Sequence, residues 1–151
     1  MKWNTSLIVF FLILLVSSFS FADGVNREDS MLWEKHGDRL FLASMDGLDL
    51  FNLDLVKMNS AKGPGHLPVE VEVISNEDAF VLTKKSLDYY NFDRHDRLWL
   101  VDSIKLRRTD PVDLEFLNLA KGLLLVVYRD GFETFTANFG KKALYQNSVT
   151  E

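Results

Sequence analysis

Cysteine is absent from the 151 residues, and proline occurs only three times. Without cysteine there is no disulfide framework, no thiolate metal site and no attachment point for a lipid anchor, so stability rests on packing. The three histidines, His36, His66 and His95, fall singly at turns without the spacing of a zinc motif, and no metal is expected. Gly-rich phosphate loops and the serine nucleophile elbow are missing too, and no cofactor is implied. Gly63-Pro64-Gly65 reads as a turn, and Asn91, Asp93 and Asp96 lack the alternating oxygens of a calcium loop. A basic excess is also lacking. Seventeen Lys and Arg against 22 Asp and Glu give a formal charge of −5, which argues against a nucleic-acid partner. No polybasic run offers itself to anionic lipid.

Long apolar runs are scarce, and the longest stands near the start. LIVFFLILLV at residues 7–16 follows Lys2 and precedes SSFSFA, which reads as an export signal over residues 1–22, cut between Ala22 and Asp23. The run falls short of the roughly 20 residues of a spanning helix, so no membrane attachment is expected after cleavage. Cleavage removes Lys2 and no acid, taking the charge from −5 to −6. Export without disulfides points to a periplasmic or secreted product. Residues 23–30, DGVNREDS, read as a flexible N-terminal arm, and residues 31–151 as a single β-repeat domain.

What is present is alternation. Residues 68–103 read PVEVEVIS, turn NED, AFVLT, turn KKS, LDYYNF, tip DRHDR and LWLVDS: four short strands of an antiparallel meander. The unit recurs. PVDLEFLN at 111–118 matches PVEVEVIS at 68–75, and the turn-plus-acid signatures MDG-LDL, KKS-LDY and RDG-FET make Leu48, Leu87 and Phe132 equivalent. The units span about 31–59, 68–106 and 111–147, joined by connections at 60–67 and 105–110. LVKM at 55–58 follows as the fourth apolar run of the first unit, long enough for no more than a short strand or a helical turn, and the opening MLWEK does not align with PVEVEV. The fold class is therefore all-β, three four-stranded antiparallel meanders, with a β-sandwich as the alternative.

The stretch VEVISNEDAFVLTKKSLDYYNFD resembles the blade repeat of β-propellers of the LVIVD and YVTN type. It departs from that pattern where Lys84-Lys85-Ser86 lacks the turn glycine, where Tyr90-Asn91 stands for two aliphatic residues, and where Asp93 only approximates the closing acid. The resemblance implies a partial propeller and carries over no functional residue. Propellers take about four to eight blades, so three cannot close a ring. A protein partner or self-association, such as a homodimer completing the ring, is the expectation. The run LLLVV at 123–127 reads as a buried central strand that would aggregate if left at an edge.

Candidate chemistry is confined to carboxylates and aromatics. Glu70 with Glu72, and Asp113 with Glu115, stand two apart on a strand and share a face, where such a pair can hold a proton or a sugar hydroxyl. Their plain reading is the polar face of a half-covered sheet. Trp33, Tyr89, Tyr90 and Tyr128 are candidate stacking surfaces for a ligand, whereas Trp99 between Leu98 and Leu100 reads as core. Tyr89 and Tyr90 place one ring on each face, and one hydroxyl should find a polar partner. These readings favour an exported non-enzymatic binding or scaffold protein recognising a protein, or less favourably a glycan. The alternative is a small exported glycan hydrolase using a strand-face carboxylate pair.

Overall fold

The computed structural model describes residues 31–150, with side chains given to Asn147, so the expected signal and arm lie outside the described residues. Three four-stranded antiparallel sheets follow one another, each made of consecutive strands. The first blade comprises β1 (Leu32–His36), β2 (Arg39–Ser44), β3 (Gly47–Asn52) and β4 (Lys57–Lys62). The middle blade comprises β5 (Pro68–Val73), β6 (Asp78–Thr83), β7 (Ser86–Phe92) and β8 (Leu98–Lys105). The last comprises β9 (Asp113–Asn118), β10 (Leu123–Tyr128), β11 (Gly131–Asn138) and β12 (Ala143–Thr150), with a 3-10 turn at Leu119–Lys121.

The turn residues dictate these meanders, with two departures from the sequence reading. The turns before the third strands hold two residues, since Gly47 already pairs with Ser44 and Gly131 with Tyr128. Gly47 has to be glycine: its φ is +133°, and a Cβ there would lie 2.1 Å from the Ala61 carbonyl oxygen. Residues 53–56 form a turn instead of starting a strand. The Asn52 carboxamide accepts the Asp54 and Val56 amides at 3.0 and 2.9 Å, and Leu55 takes a φ of 61°. Strand β4 therefore begins at Lys57 and continues to Lys62, into what the sequence alone suggests is a connection.

The blades stack face to face. Phe41, Leu48 and Leu50 of the first pack on Val71, Val81, Tyr90 and Phe92 of the middle one. On its other side Phe80, Leu82, Leu87 and Tyr89 meet Leu114, Leu124, Val126 and Phe135. Strands β6 and β7 are consequently buried along their whole length. Each large apolar side chain so covered contributes about 1.5–3 kcal/mol. Three layers with meander connections replace the two sheets of a sandwich.

Strand pairing aligns the blades residue by residue. Glu34 faces Phe41, Glu72 faces Phe80 and Glu115 faces Leu125 across equivalent ladders, so the first strand does match the others in register, though not in identity. Each position keeps its direction from blade to blade. Leu48 and Leu87 point forward, toward the following blade, whereas Asp88 and Glu133 point back. Glu133, fully buried, accepts the Tyr128 hydroxyl at 2.6 Å and the Arg107 and Arg108 amides at 3.3 and 2.9 Å. In the last blade the repeated acid is thus a clasp on the connection from the middle blade. Asp88 accepts the Ser103 hydroxyl at 2.6 Å, and its burial pushes its carboxyl up against the pull of that bond.

Candidate functional site

Two constellations of polar side chains stand out. The first follows from the alternation of the leading strands β1, β5 and β9, which lie side by side. Glu70 reaches across the second seam, where its carboxylate accepts the Leu114 amide at 2.5 Å and shares hydrogen bonds with the Asp113 and Glu72 carboxyl groups. Burial chiefly, then Asp113, pushes the Glu70 carboxyl up to about 8, with the Leu114 amide opposing. Burial also raises Glu72, and raises Glu34 with help from the neighbouring Glu72. At neutral pH this row holds a proton between carboxylates. Glu34 belongs to the row although the sequence reading missed it, because only the pairing register shows that MLWEK aligns with the PVEVEV strand. Glu115 stands apart, exposed on the outer face of the last blade. The Glu70–Glu72 pair is therefore kept and joined across the seam by Asp113, whereas Asp113 and Glu115 are separated.

The second constellation is a shallow hollow of about 590 Å³ where three turns of the first two blades converge. Asp38 and Arg39 come from the first hairpin, Asn76 and Glu77 from the turn before β6, and Asp93, Arg94, His95 and Arg97 from the β7–β8 tip. None of the carboxylate row lines it. Arg39 forms its floor: the guanidinium donates to the Asp93 carbonyl at 2.9 Å, pairs with Asp96 at 2.9 Å and lies over the Phe92 ring at 5.3 Å. Asp96, at a φ of 58°, also accepts the Asn59 side chain through its carbonyl at 3.0 Å. Against the cost of leaving water, hydrogen bonds from Arg97 and the His95 amide hold the Asp93 carboxyl below its ordinary value. The tip is thereby fixed, and Arg94 and His95 are left exposed on the rim. Sequence gave little sign of this hollow beyond three polar turns. Among the described residues no His, Asp and Glu group is arranged to hold a metal ion.

With this geometry established, comparison with solved structures identifies the architecture. Hsv2p of Kluyveromyces lactis superposes with a TM-score of 0.60 at 17% identity, over 80% of this chain and 46% of its own. A putative 6-phosphogluconolactonase of Bacteroides fragilis superposes with a TM-score of 0.59 at 14% identity, over 78% of this chain and 36% of its own. The fold is propeller-type. The chain spans less than half the length of either structure. No family model matches it, and no curated protein does. The LVIVD and YVTN resemblance thus extends to the architecture and no further.

The aromatic candidates fare differently from one another. Tyr89, Tyr90 and Tyr128 are interior, wedged in the seams between blades, and offer no ring to a dissolved ligand. The Tyr89 hydroxyl donates to Asp78 at 2.5 Å while its ring stacks on Phe80 at 4.8 Å. Trp33 remains accessible at 41% exposure on the outer face of the first blade, against Phe51 at 5.4 Å. Trp99 is equally exposed rather than core, because β8 is the edge strand of its sheet and its side chain falls outside both seams.

Proposed function

We propose that this chain is an exported, non-enzymatic binding protein that recognises a protein partner at the hollow between its first two blades. The observation that carries the reading is the hollow itself, where turns from residues 38 to 97 converge and side chains of both charge signs ring a braced floor. Mixed signs on an open surface suit a folded protein surface better than a polyanion. Export is supported by the LIVFFLILLV segment ahead of SSFSFA. The expected experiment immobilises the purified chain and challenges it with the extracytoplasmic proteins of its host. A defined protein is retained by the wild type and by Glu70→Gln, and lost from Arg94→Glu/Arg97→Glu.

The raised Glu70 beside Asp113 and Glu72 favours a second reading, glycan hydrolysis with Glu70 as proton donor and Asp113 as the second carboxyl group. Release of reducing ends from a polysaccharide panel, abolished by Glu70→Gln, would put the hydrolase in place of the binding protein.

A further inference from the structure

Among the described residues no blade lies before the first or after the last, and the alignment of the blades shows what chemistry each end face carries. The back-facing positions that form the core of the last blade are Leu114, Leu124, Val126 and Phe135. In the middle blade the same register positions are Val71, Ala79, Val81 and Tyr90, again core. In the first blade they are Trp33, Leu40, Leu42 and Phe51, apolar without exception though no blade precedes them among the described residues; Leu40 and Leu42 are buried within the blade, and Trp33 is left exposed. Forward-facing positions behave alike. Phe41, Ala43 and Leu48, then Phe80, Leu82 and Leu87, are buried in the two seams. Their counterparts in the last blade, Leu125, Val127 and Phe132, face outward, and Phe132 is 36% exposed. The open ends are the two halves of one more seam.

We infer that a second copy of this chain covers these faces, the last blade of each copy seating on the first blade of the other, to close a two-fold ring of twice three blades. Such a ring falls within the range of about four to eight blades that propellers adopt. A charge pair selects this occupant. In the second seam Phe116 packs on Phe80 at 5.4 Å, and Glu72 is the cross-strand neighbour of Phe80. At the open ends Lys35 stands where Phe116 does, Leu125 where Phe80 does, and Glu115 where Glu72 does. The stem of Lys35 from one copy covers Leu125 of the other, and its ammonium reaches Glu115. Both charged side chains are exposed in the single chain. Asp49, the first blade's counterpart of Asp88 and Glu133, points toward the same seam and meanwhile pairs with Lys57 at 2.7 Å.

The absence of cysteine makes the test clean. Full-length Lys35→Cys and Glu115→Cys chains are mixed and treated with a short bismaleimide, because the reach of a lysine across a seam exceeds what a disulfide spans. The inference expects 35–115 cross-links almost alone, and from the Lys35→Cys/Glu115→Cys chain a covalent dimer with nothing larger. Separately, Lys35→Glu or Glu115→Lys alone weakens association by roughly tenfold, and combining them restores it. Products joining 35 to 35 or 115 to 115, a covalent ladder beyond the dimer, or no product at all would overturn it. So would charge reversals that leave association unchanged. Those outcomes would assign the faces to another polypeptide, to an open array or to none.

Discussion

Glu133 shows how one side chain can hold a seam. It is fully buried and accepts from the Tyr128 hydroxyl, from two backbone amides of the preceding connection and from the Gln146 side chain. Glu133→Ala strands those donors in a water-poor seam, at an expected cost of about 2–4 kcal/mol in chemical denaturation. Tyr128→Phe removes one donor while the acid keeps its others, and about 1 kcal/mol is expected. Equal effects from the two changes would show that Glu133 acts only through the Tyr128 hydroxyl and that its bonds to the connection add nothing. The cation of Arg108 over that ring at 4.7 Å remains in both variants.

Among the elements, the leading strands carry the pH response. Glu70 has a folded value of about 8 against an ordinary 4.5, so the folded chain keeps a proton that the unfolded chain has released. Its stabilisation is complete below about pH 4.5 and is lost as pH rises through 8. Glu34, Glu72 and Asp88 shift in the same direction, whereas Asp93 shifts downward and loses its contribution only in acid. Thermal melts should therefore fall from pH 5 to pH 8, and Glu70→Gln should flatten that decline. Allowing for its half-exposed side chain, the gain at the alkaline end is about 1 kcal/mol, or a few degrees in Tm. Parallel curves for the two proteins would contradict the assignment.

The same strands show what was legible beforehand. PVEVEVIS and PVDLEFLN carry the repeat openly, because both are flanked by a covered blade on their back face and need Val, Leu or Phe there. MLWEK hides it: Lys35 occupies the place of Val73 and Phe116 because nothing among the described residues covers that face. The LLLVV run is central in its sheet as expected, yet only Leu124 and Val126 are buried while Leu123, Leu125 and Val127 keep partial exposure. The carboxylate row was half visible, as alternation marks a face but not the strand that will lie opposite. The hollow was invisible, since its three turns share chemistry with every other turn and converge only through the stacking of blades.

At the scale of the whole molecule, the account rests on forward and back faces that repeat without interruption through the stack and stop, still apolar, at both ends. Among the described residues Trp33 and Phe132 stay exposed at these ends, and Phe51 and Leu125 in part. The most direct measurement is the mass of the purified full-length protein by light scattering after size exclusion, over a broad range of concentration. The account predicts twice the mass of one chain, unchanged on dilution until the ring dissociates in a single step. A mass of one chain at every concentration, or one that climbs steadily with concentration, would contradict it.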